Sequence, residues 1–116
     1  FSSFETTGSR DRNYTNGRGA VRTIFQAELQ EPDDSNLQLI FTGDGFLRHM
    51  VRNITGTVIE VGRGKRSVEE FVQILRCRDR KRAGAAAPSC GLSLVKVHYQ
   101  KDWYLPIEGQ RFLLVE

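Results

Sequence analysis

The sequence predicts an α+β fold in which a mostly antiparallel sheet is covered on one face by two helices. Three observations support this fold class. The chain has 116 residues, which suits one small domain. Two segments carry apolar residues at helical spacing, and several others have the pattern of strands. Helices and strands are mixed along the chain rather than strictly alternating, which favours an α+β fold over a parallel α/β fold.

The first strands are predicted after a polar, glycine-containing segment that covers residues 1–19. The stretch "AVRTIFQAELQ", residues 20–30, places Val21, Thr23, Phe25 and Ala27 on one side and Arg22, Ile24, Gln26 and Glu28 on the other. This alternation predicts a strand with one mainly apolar face. The turn "EPDDSN" follows, and "LQLIFTG" predicts a second strand that pairs with the first as an antiparallel hairpin.

The first helix is predicted to begin at Asp44 or Gly45 and to run to about Val61. One arc of this helix is apolar and is expected to pack on the sheet; it contains Phe46, Leu47, Met50, Val51, Ile54, Val58 and Val61. The opposite side carries Arg48, His49, Arg52 and Gly56.

The remaining elements follow from local signals. Ser67 and Glu70 have the spacing of a capping box, so a second helix is predicted in "VEEFVQILRCRD". The stretch "RKRAGAAAPSCG" predicts a loop and "LSLVKVHY" a third strand. A further loop, "KDWYLPIEGQ", precedes "RFLLVE", which predicts a short final strand.

Arg52 has no acidic residue within one helical turn, whereas Arg48 has Asp44 four residues before it. Gly56, one turn after Arg52, costs about 1 kcal/mol relative to alanine within a helix, and it leaves room for another backbone, a base or a sugar. Two interpretations stay open. The Arg52 guanidinium has a partner from elsewhere, a carboxylate or a phosphate, or it points into water.

Composition excludes some classes of protein. No apolar run is long enough to span a bilayer, and no membrane partner is expected. Cys77 and Cys90 form no C-x-x-C motif, which argues against a disulfide scaffold or a zinc site and favours two buried or idle thiols in a reducing cytosol. The net charge of +3 favours a polyanionic partner.

The stretch "GDGFLRHMVRNITGTVIEVGRGK" resembles the C-terminal half of the TruA-type tRNA pseudouridine synthases. Three further stretches agree in order, "FSSF", "VRTI" and "RDRKRAGAAAPSCGLSLVKVHY", so the resemblance covers nearly the whole chain. It implies that residues 1–116 are one C-terminal domain, half of a pseudouridine synthase fold. The N-terminal half, with a catalytic aspartate in a "GRTD"-like motif, is not in this sequence.

The resemblance implies a function: isomerisation of uridine to pseudouridine in the tRNA anticodon stem-loop, without a metal or an organic cofactor. It implies that Arg52 reaches the active-site cleft and forms an ion pair with the catalytic aspartate, so the chain alone is expected to be inactive. Leu92 is implied to wall the uracil pocket, with plain core packing as the alternative. A homodimer is expected for the full-length enzyme. The expected compartment is the cytoplasm, or an organelle or the nucleus in a eukaryote.

The basic residues are then expected to contact tRNA. Arg63, Lys65 and Arg66 follow the first helix, and Arg76, Arg78, Arg80, Lys81 and Arg82 surround the end of the second. Arg48 and His49 are further candidates. For the second cluster, a favourable interaction with the helix macrodipole is the alternative. The second function that stays open is a non-catalytic RNA-binding or dimerisation module; a "GRTD"-like segment encoded upstream of Phe1 would decide for the enzyme.

Overall fold

The computed structural model describes residues 1–6, 19–98 and 111–115. Within these ranges the chain forms two α-helices and a four-stranded antiparallel sheet, so the predicted α+β class is confirmed. It divides into two compact units. We call residues 1–22 and 46–88 the helical unit, and residues 23–45 and 89–116 the sheet unit. The predicted loop at residues 101–110 lies outside the described residues.

The sheet unit contains strands β1 (Ile24–Asp33), β2 (Asn36–Gly43), β3 (Leu92–Lys96) and β4 (Arg111–Val115). Their order in the sheet is β1-β2-β4-β3, and every neighbouring pair is antiparallel. The predicted hairpin, third strand and short final strand are confirmed. Strand β1 begins four residues later than predicted and continues through Pro32, which the sheet tolerates because β1 is an edge strand.

A two-residue turn at Asp34 and Ser35 joins β1 to β2. The Asp33 carboxylate accepts hydrogen bonds from the Ser35 backbone N–H and from the Asn36 side-chain amide, both at 2.9 Å. The Asn36 amide, followed by the Ser35 N–H, lowers the pKa of Asp33. These hydrogen bonds therefore favour the folded turn above the unfolded-state pKa of Asp33 and are lost as the pH falls through its folded-state pKa.

In the helical unit, helix α1 spans Met50–Gly62 and therefore begins five or six residues later than predicted. Gly45 has φ of 149° and His49 has φ of 58°, and neither conformation fits a right-handed helix. Asp44 and Arg48 both precede the helix, so the helical spacing on which their pairing was predicted does not exist. His49 instead occupies the N-cap position of α1.

Both sides of α1 are largely buried. The predicted apolar arc is confirmed in part: Leu47, Met50, Val51 and Ile54 are buried, and the rest of the arc is half-buried. On the opposite side, Thr55 and Gly56 are also buried, and so are Asn53 and Thr57 near the edge of the apolar arc. The cause is a loop, described below, that lies across this side of the helix.

Helix α2 spans Val68–Cys77, and its predicted capping box is confirmed. The Glu70 N–H donates to the Ser67 hydroxyl at 3.1 Å, and the Ser67 N–H donates to the Glu70 carboxylate at 3.3 Å. The helix ends two residues earlier than predicted because Arg78 adopts a left-handed conformation with φ of 56°. The Phe71 ring stacks on the Phe4 ring with centroids 5.7 Å apart, which joins α2 to the N-terminal turn.

The two cysteines, Cys77 and Cys90, carry free thiols, and both residues are exposed rather than buried. Among the described residues, no helix is long and apolar enough to cross a bilayer.

Candidate functional site

Arg52 is the third residue of α1, and its side chain is half-buried. Its Nε donates a hydrogen bond to the Ala87 carbonyl at 2.8 Å, while the Arg52 carbonyl accepts one from the Ala87 N–H at 2.9 Å. Within residues 1–6 and 19–98, no carboxylate lies within ion-pairing distance of the guanidinium. Arg52 is therefore not simply solvated: one end of its guanidinium is anchored to Ala87, and its two terminal amino groups remain as donors.

The loop of residues 79–88 carries Ala87 across α1, and we call it the crossing loop. It lies against the helix at Gly56, where an added Cβ would lie 1.8 Å from the Ala85 carbonyl oxygen. The room that Gly56 leaves is thus occupied by another backbone, one of the three occupants that the sequence left open. Gly84 makes a second close approach, and its N–H donates to the Thr57 hydroxyl at 2.9 Å.

Asn53 and Arg80 join the crossing loop to the rest of the helical unit. Asn53 is only 1% exposed, and its amide Nδ2 donates to the Phe4 carbonyl at 2.7 Å. Its Oδ1 accepts a hydrogen bond from Arg80 Nη2 at 3.1 Å, and Arg80 Nη1 donates to the Gly84 carbonyl at 2.9 Å. The Arg80 guanidinium, expected from the sequence to contact tRNA, therefore binds groups of its own chain.

A second arginine holds the crossing loop from the end of α1. Arg66 forms an ion pair with Glu60 through Nε, and its Nη1 donates to the Arg82 carbonyl at 2.8 Å. The Arg66 guanidinium therefore binds Glu60 and the crossing loop of its own chain.

The other expected tRNA contacts are exposed side chains of the helical unit. Those at the ends of the helices and in the crossing loop make no hydrogen bond or ion pair with the described residues: Arg63, Lys65, Arg76, Arg78, Lys81 and Arg82. Arg48 and His49 are exposed just before α1. The His49 ring nitrogen Nδ1 lies 3.1 Å from the Thr6 hydroxyl, so the N-terminal segment holds this imidazole.

Leu92 is the one predicted site residue outside the helical unit. It is the first residue of β3 and is half-buried.

Charge is distributed very unevenly between the two units. The sheet unit holds three of the 17 Lys and Arg residues, Lys96, Lys101 and Arg111, and eight of the 14 Asp and Glu residues. The helical unit therefore holds the remaining 14 cations against six acids. A polyanion is attracted to the helical unit and repelled by the sheet unit.

In the described residues there is no group of three or more His, Cys, Asp or Glu side chains that could hold a metal ion.

Asn53, Thr57 and Gly84 were missed in the sequence. A polar residue on a helix face ordinarily indicates solvent, and nothing local shows that a loop covers Asn53 and Thr57. The available signal was the pair of glycines, Gly56 within a helix and Gly84 within the loop, because each permits a close approach of backbone to helix.

Comparison with known proteins identifies the family. Residues 1–100 match the family model described as tRNA pseudouridine synthase. The "tRNA pseudouridine synthase A 1" of Desulfotalea psychrophila is 56% identical over 99 residues, which are 85% of this chain and 39% of that protein. The "tRNA pseudouridine synthase A" of Acetivibrio thermocellus is 46% identical over 99 residues, 85% of this chain and 38% of that protein.

A third relative, the "tRNA pseudouridine synthase A 1" of Protochlamydia amoebophila, is 40% identical over 102 residues, 88% of this chain and 38% of that protein. The chain thus spans well under half the length of these relatives. No solved structure gave a significant match. The family model covers most of the chain, and the resemblance first seen in the stretch around Arg52 is confirmed: the chain belongs to the tRNA pseudouridine synthase family, of the TruA type.

Proposed function

We propose that this chain is the part of a tRNA pseudouridine synthase that supplies Arg52 to the active-site cleft and a basic surface to tRNA. The full-length enzyme isomerises uridine to pseudouridine in the anticodon stem-loop. The observation that carries the proposal is the state of Arg52: its guanidinium is anchored at Nε, has no acidic partner among the described residues and keeps its terminal amino groups available. The acid it serves is the catalytic aspartate of the N-terminal half.

The anchoring of Nε restricts how Arg52 binds that aspartate. A guanidinium can grip a carboxylate through two parallel hydrogen bonds, either from Nε and one amino group or from the two amino groups. Because Nε is bound to Ala87, only the second arrangement is left. A cation a few ångströms from a carboxylate favours its ionised form, so Arg52 keeps the aspartate charged and orients it.

The reaction is an isomerisation and needs no atom from outside the substrate. The aspartate initiates cleavage of the bond from the sugar to the uracil nitrogen, the uracil rotates, and a bond forms from the sugar to a uracil carbon. That carbon then loses its proton and the released nitrogen gains one, so the composition of the nucleotide is unchanged. The target base must first leave its stack, so the cleft must accept a flipped nucleotide. Leu92 is proposed to wall the uracil pocket from the start of β3.

The tRNA surface is proposed to consist of the exposed cations of the helical unit. It includes the exposed Arg63, Lys65 and Arg82, and Arg48 and His49, which precede Met50 of α1. Phosphate contacts of this kind give affinity without base specificity. Arg80 is proposed to contribute to this surface by holding the crossing loop, because Nη1 donates to the Gly84 carbonyl and Nη2 to Asn53 Oδ1.

Binding of tRNA by this chain should fall steeply as the salt concentration rises. Each phosphate that a cation neutralises releases counterions and contributes roughly 0.7–0.9 to the slope of log affinity against log salt. Titration of unmodified tRNA at several salt concentrations measures the slope, and Arg82→Ala should reduce it by about one contact. An affinity that stays constant between low and moderate salt contradicts an electrostatic surface.

The catalytic assignment is tested by assaying pseudouridine in unmodified tRNA after incubation with the full-length protein and with this chain alone. We expect the full-length protein to convert uridine and this chain to show only background. A full-length protein that binds tRNA but is inactive would contradict the enzyme and favour a non-catalytic RNA-binding module. Turnover by the chain alone would show that it needs no aspartate from elsewhere.

The full-length protein is further proposed to be a homodimer in the cytoplasm. Supporting this, the sheet unit exposes large apolar side chains, with Phe25 66%, Leu29 60% and Leu94 56% exposed. The same unit is net negative, which disfavours tRNA as the molecule that covers these side chains. A second protein chain is the better occupant, because large apolar side chains are covered at protein interfaces.

A further inference from the structure

We infer that Asn53 and Arg80 are positioning residues that set the direction of the Arg52 guanidinium through the crossing loop. The inference rests on the proposed role of Arg52 and gives Arg80 a role other than contact with tRNA. It starts from the hydrogen bond between Arg52 Nε and the Ala87 carbonyl, because the position of that carbonyl decides where the rest of the guanidinium points.

The position of the Ala87 carbonyl is set by the bond of the Ala87 N–H to the Arg52 carbonyl and, three residues earlier, by the contacts of Gly84. The Gly84 carbonyl accepts from Arg80 Nη1 at 2.9 Å, and the Gly84 N–H donates to the Thr57 hydroxyl at 2.9 Å. Only Ala85 and Ala86 separate Gly84 from Ala87, and the Ala85 carbonyl already lies against Gly56. A span of two residues, with one carbonyl against the helix, transmits a shift of Gly84 to Ala87.

Arg80 is suited to this role by the shape of its side chain. Its two terminal amino groups reach two acceptors at once, the Gly84 carbonyl and the Oδ1 of the buried Asn53. Asn53 is held in turn by two hydrogen bonds. Its side-chain Nδ2 donates to the Phe4 carbonyl at 2.7 Å, and its backbone carbonyl accepts from the Thr57 hydroxyl at 2.9 Å. A lysine at position 80 has a single charged group and cannot hold both acceptors with the same geometry.

If Arg80 is removed, Gly84 keeps its bond to Thr57 and Ala87 keeps its N–H bond to the Arg52 carbonyl, but the crossing loop loses one of its two hydrogen bonds at Gly84. The acceptor of Arg52 Nε is then held less firmly, and the two amino groups face the aspartate in a wider range of orientations. Catalytic groups must be held closely, since a misplacement of about 1 Å can cost on the order of a hundredfold in rate. The effect should therefore fall on the chemical step rather than on the affinity for tRNA.

The test uses the full-length protein, with single-turnover rates measured at saturating enzyme and the dissociation constant for tRNA measured separately. Arg80→Ala should lower the saturating rate by about tenfold or more, while the dissociation constant changes by less than about threefold. The comparator is Lys81→Ala, whose exposed amino group has no partner among the described residues. It should raise the dissociation constant instead. If Arg80→Ala changes only the dissociation constant, Arg80 is a tRNA contact and the inference is wrong.

A double-mutant cycle with Arg52→Lys shows whether Arg80 acts through Arg52. The double variant should react no more slowly than Arg52→Lys alone, because the group that Arg80 positions has already been lost. Rate losses that multiply would show that Arg80 acts independently and would overturn the inference. If Arg52→Lys itself reacts at the wild-type rate, the proposed function of Arg52 fails first and the inference falls with it.

Thermal unfolding of each variant checks that it is folded, and rates are compared only between folded variants. Asn53→Ala leaves the buried Phe4 carbonyl without its hydrogen-bond donor, so we expect this variant to lose the most stability. Arg80→Lys keeps the charge and serves as the milder variant if Arg80→Ala does not fold. It should still lower the saturating rate, and a wild-type rate in a folded Arg80→Lys variant contradicts the positioning role.

Discussion

Gly56→Ala should lower the free energy of unfolding of this chain by about 2–4 kcal/mol, although alanine is the better helix former. The added Cβ would lie 1.8 Å from the Ala85 carbonyl oxygen, 2.9 Å from the Ala85 carbonyl carbon and 3.1 Å from the Ala87 nitrogen. Because these are backbone atoms, the crossing loop itself has to move away from α1. Overpacking costs roughly 1–3 kcal/mol, and each hydrogen bond lost from the loop adds about 0.5–1.5 kcal/mol.

The gain in helix propensity is about 1 kcal/mol, which is too small to offset that cost. Gly62→Ala is the matched control, because it makes the same change in the last turn of α1, where an added Cβ meets nothing within 4 Å. It should stabilise the chain by up to about 1 kcal/mol. Urea denaturation of the two variants and the wild type measures both effects. A Gly56→Ala chain as stable as the Gly62→Ala chain would mean that the crossing loop does not lie on the helix.

Gly56→Ala should also affect the site, because the displaced segment carries Ala87. Gly84→Ala is a useful intermediate case. Its added Cβ would meet the Glu60 carboxyl carbon at 2.7 Å, and a side chain can give way where a backbone cannot. We therefore expect its cost to lie between those of the other two variants.

The parts of the fold that rest on local signals were predictable from the sequence. The capping box of Ser67 and Glu70 marks the start of α2, and the turn at Asp34 and Ser35 joins two strands whose residues alternate. In each case the residues that give the signal also make the hydrogen bonds that stabilise the structure, so sequence and structure agree.

The start of α1 was not predictable in the same way. Asp44 followed by Gly45 looks like a helix start, and the apolar arc continues back to Phe46. The left-handed conformation of His49 nevertheless delays the helix to Met50. His49 is held by contacts distant in sequence, since its ring meets Thr6 and the Thr6 N–H donates to the Arg48 carbonyl at 3.1 Å. Tertiary contacts of this kind leave no local pattern.

The close approach at Gly56 was predictable from the sequence, and a loop backbone lies against this glycine. The carboxylate or phosphate partner of Arg52 stays a prediction, because the acceptor among the described residues is the Ala87 carbonyl. The hydrogen bonds of Arg80 to Gly84 and Asn53 were not predictable, because a cluster of arginines indicates a nucleic-acid surface as a whole. Which member turns inward depends on where Asn53 and Gly84 lie, and the sequence does not show that.

The central claim is that Arg52 serves an aspartate from outside this chain, and Arg52→Lys in the full-length enzyme tests it. The fold should survive, because lysine keeps the charge and is a comparable helix former. The rate should fall by on the order of a hundredfold, because a single amino group cannot both satisfy the Ala87 carbonyl and grip a carboxylate through two hydrogen bonds. The dissociation constant for tRNA should change little.

Arg63→Ala is the comparator for charge on the tRNA surface, since its exposed side chain has no partner among the described residues; its effect should fall on the dissociation constant. The deciding measurement is the single-turnover rate of pseudouridine formation at saturating enzyme, which separates chemistry from binding. The account predicts a large loss of rate for Arg52→Lys with tRNA still bound. A wild-type rate for Arg52→Lys, or a loss that Arg63→Ala shares equally, would contradict it and leave Arg52 as a structural contact of the crossing loop.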